Sequence, residues 1–238
     1  MTATITSINQ NLNLVLDENE TQNVCEWDLM SADSSQGKDN LQTSTEVILK
    51  ENSTLNYVMV LGLSSKTQPA LENLQKKMRF VLEKGANLNF IGVFFGKNNS
   101  NHKVKVFVDH IGPSSFSDVK VRGALQDTAF NAFQGLIKIE KTAPLSSAHL
   151  EQRVVLLSKQ ANCEGQPELE ILNNDVKASH AAAIGKLSED QLFYMESRGI
   201  DRQTAKKIIL KGFFSSLIAQ IKDQDLQSKV KDNFLKTF

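Results

Sequence analysis

The chain has 238 residues, of which 40% are apolar and 23% are charged, and its 27 basic residues balance its 27 acidic ones. This composition is typical of a globular protein that buries a substantial core in one large or two small domains. A formal net charge of zero provides no field to attract nucleic acid or an anionic membrane. We therefore expect neither a nucleic-acid partner nor a membrane partner.

Residues 1–14 contain neither the basic nor the continuous apolar segment of a secretory signal, and no later run reaches roughly 18 apolar residues. A cytoplasmic location is expected, although an organelle protein without its transit peptide would look the same. The two cysteines, Cys25 and Cys163, are far apart and form no CxxC motif. Their number excludes a zinc-finger pattern, a disulfide framework and a four-cysteine cluster site within one chain.

Before Gly185, apolar residues recur at every second position, which predicts short β-strands. This alternation occurs at residues 12–16, 78–82, 104–108 and 119–121. Between them lie segments with the composition of turns, at residues 84–85, 96–99, 112–113 and 163–167.

Many short strands without intervening helices indicate a sandwich, a barrel or a solenoid, and the alternation does not choose among them. No exact repeat of fixed length is present, which counts against a regular solenoid, although degenerate β-helices often lack one. Residues 69–82 fit either a helix face or a strand. The polar segment 31–44 predicts a mobile loop or the end of an N-terminal extension.

After Gly185 the apolar spacing becomes helical, with clear end signals. Ser188 is positioned as an N-cap with Gln191 as its capping-box partner, and Gly199 should end this helix after residues 189–198. Asp201 should cap a second helix, and a short third helix follows. The second helix is predicted to bury one stripe: Ala205, Ile208, Ile209, Gly212, Phe213, Ser216, Leu217 and Ile221.

Residues 173–200, NNDVKASHAAAIGKLSEDQLFYMESRGI, resemble the C-terminal signature of the SufB/SufD scaffold family. The likeness extends from about Arg79 almost to the C-terminus. Residues 108–143 resemble the family's β-helical body, in which a His-x-x-Pro turn is followed by a Ser-bearing strand and an aromatic-Gln-Gly strand. Residues 153–171 resemble the strand before the signature. The Ser-His pair after Asp-Val-Lys is more similar to the SufD pattern than to the SufB pattern.

The resemblance implies a mainly β fold, a right-handed parallel β-helix (β-solenoid) followed by a C-terminal α-helical subdomain. We expect an N-terminal strand and polar loop at 1–44, the β-helix at 45–184 and the helical subdomain at 185–238. The implied function is that of a non-catalytic scaffold in iron–sulfur cluster assembly. Its β-helix would pair with a SufB-like subunit or a like chain, and its helices would bind SufC, an ABC-type ATPase. An iron–sulfur cluster would be present only transiently in the assembled complex, with no bound cofactor in the isolated chain.

His180 is the one position of the matching signature that is a candidate iron–sulfur ligand, at the subunit interface, since imidazole is a common metal ligand. The alternative is an ordinary histidine hydrogen-bonded to the backbone. A cysteine often found two residues before it in the family is Ala178 here. The ligands of SufB-like members are likewise absent, because Arg153 and residues 179–181 occupy their positions.

The resemblance places the SufC contact at Tyr194, Arg198, Gly199 and Ile200. The two cysteines are interpreted as free thiols without a special role. Asp109, His110 and His149 are expected in solvated turns at strand ends.

Two other functions remain open. A purely structural β-solenoid would explain the strands but not the capped helices. A β-helix carbohydrate-active enzyme would need clustered carboxylates or a calcium site beside a basic residue. The sequence contains no such cluster in its strands and no GxSxG, P-loop or HExxH motif. We therefore predict no catalytic residues.

Overall fold

A computed structural model describes residues 4–7, 10–27, 41–62 and 73–237. Within these ranges the chain forms thirteen strands followed by three helices. The strands are β1 (Thr4–Ser7), β2 (Leu12–Leu16), β3 (Thr21–Trp27), β4 (Leu41–Leu49), β5 (Thr54–Leu61), β6 (Asn73–Leu82), β7 (Asn87–Gly96), β8 (Asn101–His110), β9 (Phe116–Leu125), β10 (Phe130–Ile139), β11 (Ser147–Leu156), β12 (Asn162–Ile171) and β13 (Lys177–Lys186). The helices are α1 (Glu189–Ser197), α2 (Arg202–Ile218) and α3 (Gln224–Thr237).

Consecutive strands alternate between two parallel sheets. The odd sheet has the order β1-β3-β5-β7-β9-β11-β13, and the even sheet has the order β12-β10-β8-β6-β4-β2. Because each strand pairs with the strand two places away, the chain coils around a shared lumen as a β-solenoid. The predicted parallel β-helix is thus confirmed, and a right-handed sense is expected for crossovers between parallel strands.

The coils differ in length, which explains why no fixed repeat is visible in the sequence. In the odd sheet, Thr54 pairs with Asn87 after 33 positions, Asn87 with Phe116 after 29, and Phe116 with Ser147 after 31. The strands stay near ten residues while the turns vary. The register is therefore kept by stacking of inward side chains and not by a constant spacing.

Inward-facing residues of both sheets form a continuous apolar core. Val104, Val106 and Val108 are at most 2% exposed, as their alternation predicts. Met78, Phe80 and Leu82 are likewise buried within β6, so the helical alternative for residues 73–82 is wrong. The remainder of that segment, residues 69–72, lies outside the described residues.

The polar segment 31–44 also divides at the edge of a described range. Residues 31–40 lie outside the described residues. Leu41 begins β4, whose burial alternates strictly along the strand, so the loop prediction is wrong for residues 41–44. Thr43 and Thr45 point inward there, where small hydroxyl side chains substitute for apolar ones.

The helix ends follow the predicted capping residues. The Ser188 hydroxyl accepts a hydrogen bond from the Gln191 amide at 3.3 Å, and the Asp201 carboxylate accepts from the amides of Gln203 and Thr204. Gly199 has φ of 82° and closes α1 by donating to the Glu196 carbonyl. Glycine adopts this left-handed conformation without steric cost.

The apolar stripe of α2 differs in part from the prediction. Ala205 and Leu217 are buried as expected, but Ile208 is 47% exposed. The actual stripe continues through Leu210, Phe214 and Ile218, which pack with α3 on the outer face of the odd sheet. We call this second core the helix–sheet core. Its buried members are Cys25, Trp27, Val58, Val60, Ile91, Val93, Phe95, Ala124, Leu210, Phe214, Leu217, Ile218, Ile221, Leu226, Val230 and Phe234.

Candidate functional site

The solenoid ends in an open rung formed by β12 and β13, which we call the open end. β12 pairs with β10 and β13 pairs with β11, and within the described ranges no further strand pairs with either outer edge. Burial decreases at this end. Inward-facing positions of β10 are almost fully buried, whereas all but one position of β13 are exposed.

His180 lies on this open end. It pairs in register with Leu150 of β11, a core residue that is 1% exposed. Since paired residues on parallel strands point to the same face, His180 occupies a lumen-facing position. Its side chain is exposed because no described rung covers it.

Apolar side chains surround the mouth of the lumen. Ile171, Leu172 and Ile184 are 39–45% exposed there. A Cβ atom added to Gly165 would lie 3.1 Å from Ile184 Cδ1, so the isoleucine reaches across from β13 to β12. The open end is therefore an apolar rim around the position of His180.

On the outer face of β11 and β13, His149 is half-buried and its Nδ1 lies 2.8 Å from the Ser179 hydroxyl. His110 is different. It is fully buried, with its ring nitrogens 2.7 Å from Ser115 Oγ and 2.8 Å from Ser117 Oγ. The expectation of a solvated turn is wrong for His110. It is the next lumen-facing residue of β8 after Val104, Val106 and Val108. Burial lowers the pKa of His110 to about 4.

Cys163 lies inside the lumen, not in a loop. Residues 163–167 belong to β12, so the turn prediction for them is wrong. Gly165 and Pro167 are compatible with this strand because it is the edge of the even sheet, where a missing N–H is tolerated. Cys163 is 9% exposed, and desolvation raises the pKa of its thiol to about 12.

Two buried carboxamides face the Cys163 thiol. Its Sγ lies 3.7 Å from Gln152 Nε2 and 3.9 Å from Asn131 Oδ1. Gln152 is fully buried, and its Oε1 has no hydrogen-bond partner among the described residues. The sequence signal for Gln152 was its position two residues from both Leu150 and Val154. In a strand this spacing places all three side chains on the same, lumen-facing side.

The other thiol, Cys25, lies in the helix–sheet core and is fully buried. Burial, followed by the nearby Glu26 carboxylate, raises the pKa of Cys25 to about 12. Among the described residues, no group of three or more His, Cys, Asp or Glu side chains is arranged to hold a metal ion. His180 thus belongs to no such group among the described residues.

The residues expected to contact SufC lie at the far end of α1 and the turn after it. Tyr194 is 60% exposed, and the Arg198 guanidinium lies over its ring at 5.3 Å from the centroid. Gly199 and Ile200 complete the turn into α2. With the neighbouring Phe193, 72% exposed, these residues form what we call the tip surface. It lies on elements separate from the strand that carries His180.

No helix of the described residues is both long enough and apolar enough to span a bilayer. The family described as "SUF system FeS cluster assembly, SufBD core domain" matches residues 71–213, which are 143 of the 238 residues. This match begins just before β6 and ends within α2.

Curated relatives agree with that match. The chain is 32% identical to the iron–sulfur cluster assembly protein SufD of Bacillus subtilis over 129 residues, which cover 54% of this chain and 30% of the relative. It is 33% identical to SufD of Escherichia coli over 106 residues, 44% and 25% of the two chains. It is 35% identical to a chloroplastic protein of Arabidopsis thaliana, ABCI7, over 101 residues, 42% and 21% of the two chains.

The chain thus spans less than a third of the length of these three relatives. The matched region contains the open end with His180, the Cys163 strand and the tip surface. On the strength of the family match across more than half of its residues, the chain belongs to the SufBD core family of the SUF iron–sulfur cluster assembly system.

Proposed function

We propose that this chain is a non-catalytic scaffold subunit of a SUF iron–sulfur cluster assembly complex. In this proposal the open end pairs with a SufB-like subunit or a second copy, and the tip surface binds a SufC-like ABC ATPase. The observation that carries the proposal is the open terminal rung, in a member of this family, with the candidate ligand His180 in its centre.

The pairing step rests on the properties of β13. It has ten residues, contains no proline and is rich in alanine. Its backbone N–H and C=O groups are therefore accessible along an uninterrupted edge of the odd sheet. Such an edge is a template for pairing with another chain. The exposed Ile171, Leu172 and Ile184 add apolar area that a partner would bury.

The cluster step rests on the ligand count. Iron–sulfur clusters are usually held by about four protein ligands, mostly thiolates. His180 supplies one imidazole. The Cys25 thiol lies in the helix–sheet core, and the Cys163 thiol is buried inside the lumen with its pKa raised to about 12 by desolvation. A cluster at this position would therefore need ligands from the partner, which favours a transient cluster in the assembled complex.

The ATPase step rests on the tip surface. Large aromatic side chains with high exposure, beside an arginine, are the composition of an interaction hot spot. The resemblance to SufB and SufD implies SufC as the occupant.

The cluster role is tested with His180→Ala in a complex co-expressed anaerobically with SufB-like and SufC-like proteins. Because His180 is exposed, the variant should fold normally, and we expect lower iron and sulfide content per complex. His149→Ala, on the outer face of the neighbouring strand, is the matched control and should keep the wild-type content. Wild-type content in His180→Ala would reject the ligand role.

The ATPase role is best tested with point substitutions. Deleting residues 189–238 would expose the helix–sheet core and unfold more than the docking surface. We expect Tyr194→Ala combined with Arg198→Ala to abolish co-purification of SufC. Lys231→Ala, at an exposed position of α3, should retain it. Unchanged SufC recovery with the double variant would refute the tip surface as the contact.

A filament-forming solenoid without a cluster role is the second candidate, because an open rung can also stack on another copy. Sedimentation of the purified chain separates the two. Growing polymers without SufC binding would favour the filament, whereas discrete complexes would favour the scaffold.

A further inference from the structure

The outer face of the even sheet carries three exposed lysines that the proposed function does not use. Lys77 lies on β6, and Lys103 and Lys105 lie on β8, all at outward-facing positions. The helix–sheet core places α2 and α3 on the odd sheet, so neither helix covers these side chains. We call Lys77, Lys103, Lys105 and the adjacent Phe107 the lysine face.

Two of these lysines repel each other across neighbouring strands. Lys77 and Lys105 are register partners, and neighbouring strands lie about 4.8 Å apart. Like charges directly opposite each other destabilise a sheet. Lys103 adds a third positive charge two positions from Lys105 on β8, about 7 Å away. A neutral side chain at any of these positions would avoid the repulsion.

The surrounding side chains do not compensate these charges. The register neighbours of the three lysines on the adjoining strands are otherwise neutral: Ser44, Gln75, Ala132 and Gln134. None of the three ammonium groups forms an ion pair among the described residues, whereas the nearby Arg79 is paired with Asp109 at 2.7 Å. The lysine face therefore presents three uncompensated positive charges to a partner.

An aromatic ring lies at the end of the same row. Phe107 is half-buried and follows Lys105 by two positions, so both side chains point outward from β8. Lys77 Nζ lies 5.6 Å from the centroid of the Phe107 ring. A partner bound here would thus contact positive charge and apolar area together.

We propose that the lysine face docks an acidic, extended segment of a partner protein. In an extended segment alternate side chains point to the same side, about 7 Å apart. A segment laid along β8 with the pattern acidic-x-acidic-x-apolar matches Lys103, Lys105 and Phe107 in order, and Lys77 shares the second carboxylate. The lysine face contains no residue of the open end or the tip surface, so this inference does not rest on the proposed function.

The limited extent of the lysine face favours a peptide over a nucleic acid. Glu46 borders it on β4, and Glu164 and Glu168 border it on β12, all with exposed side chains. A nucleic-acid backbone presents a long row of phosphates, and proteins that bind it commonly make about 6–10 phosphate contacts. Three lysines between acidic borders match a short acidic segment instead.

The test is an NMR titration of the isolated full-length chain at low ionic strength with a synthetic peptide, TETETFT, blocked at both ends. We expect saturable shifts of backbone amides in β6 and β8, and none with TKTKTFT. The neutral peptide TQTQTFT should bind at least about tenfold more weakly, a difference of about 1.4 kcal/mol. Added salt should weaken binding of TETETFT, because exposed charges are screened.

Charge reversal on the lysine face provides the second arm of the test. Lys103→Glu combined with Lys105→Glu should weaken binding of TETETFT by at least about tenfold, since attraction becomes repulsion. Both side chains are exposed, so this variant should fold normally. Lys207→Glu combined with Lys211→Glu makes the same change in net charge at exposed positions of α2 and should bind as the wild type does.

Equal affinity of the wild type and the Lys103, Lys105 variant would overturn the proposal. Equal affinity for TETETFT and TQTQTFT would do the same. A thymidine trinucleotide, which has two phosphodiester charges to match the two glutamates, tests the other class of partner. The peptide should bind more tightly, because its carboxylates and phenyl ring lie on one side of an extended chain. Tighter binding of the trinucleotide would assign the lysine face to a phosphate backbone and reject the acidic segment.

Discussion

Lys76 Nζ lies 2.8 Å from Glu26 Oε1, and both side chains are fully buried in the lumen. The other carboxylate oxygen accepts a hydrogen bond from the Tyr57 hydroxyl, and the Thr45 hydroxyl donates to the same carboxylate. A buried ion pair is maintained only when its remaining hydrogen-bonding positions are satisfied. Here strands β3, β4, β5 and β6 supply these groups, so the charges join both sheets near one end of the solenoid.

Removing one partner of this pair should destabilise the fold strongly. We expect Glu26→Leu to lower the free energy of unfolding by about 3–5 kcal/mol, because Lys76 is left as an uncompensated buried charge. Urea denaturation measures this change. Glu51→Leu, which breaks the exposed pair with Lys84, is the control and should cost no more than about 1 kcal/mol.

The double variant Glu26→Leu, Lys76→Met separates charge burial from simple loss of contacts. It should recover part of the lost stability, since both desolvated charges are gone. If the double variant is less stable than Glu26→Leu alone, the proposed cause is wrong.

Stability should also depend on the protonation of His110. Burial lowers the pKa of His110 from 6.5 to about 4, so the unfolded chain takes up a proton at a pH where the folded chain does not. The neutral ring therefore contributes stability above pH 6.5 that is lost as the pH falls towards 4. The difference of about 2.5 units corresponds to about 3 kcal/mol.

Denaturation curves of wild type and His110→Asn across this pH range isolate that contribution. The stability advantage of the wild type should shrink by about 3 kcal/mol between pH 7 and pH 4. His149→Asn, at a half-buried surface position, should follow the wild-type curve. A constant difference between wild type and His110→Asn would contradict the prediction.

Arg122 attaches α2 to the odd sheet. Its guanidinium donates to the Phe213 carbonyl and the Ser216 hydroxyl and lies over the Phe213 ring at 5.4 Å from the centroid. We expect Arg122→Ala to reduce the local opening free energy of α2 by about 1–3 kcal/mol. Hydrogen exchange should then be faster in α2 and unchanged in β6 to β10.

Arg153→Ala is the control for this prediction. Its side chain is 52% exposed and pairs with Glu151 on its own strand. We expect no change in α2 exchange from its loss. Equal protection of α2 in Arg122→Ala and in Arg153→Ala would contradict the attachment.

The alternation of apolar residues predicted parts of β2, β6, β8 and β9, because lumen-facing positions of a middle coil are covered from both sides. It missed the start of β4 and residues 163–167 of β12, which were interpreted as a loop and a turn. The solenoid itself was not recoverable from spacing, since turn lengths shift the repeat between 29 and 33 residues. The family resemblance supplied it. Helix ends were predicted from Ser188, Gly199 and Asp201, whose capping contacts are local and independent of tertiary packing.

Polar residues at lumen-facing positions of the strands were predicted less accurately from the sequence. His110 and Cys163 were placed in turns because their neighbours include Gly and Pro. Both lie inside the lumen, where β-solenoids tolerate side chains that bond to the next coil. The same tolerance hid Gln152, whose parity with Leu150 and Val154 was the available signal.

The proposed scaffold role depends above all on pairing of the open end with another subunit. Native mass measurement of complexes purified after anaerobic co-expression with SufC-like and SufB-like proteins tests it most directly. Ile184→Asp places a charge on the rim, and Val15→Asp places one at a similarly exposed site on β2. We predict that the wild type and Val15→Asp give one complex containing a second SufB-like or like subunit, and that Ile184→Asp gives only the chain with SufC. The same complex mass for all three proteins would contradict it.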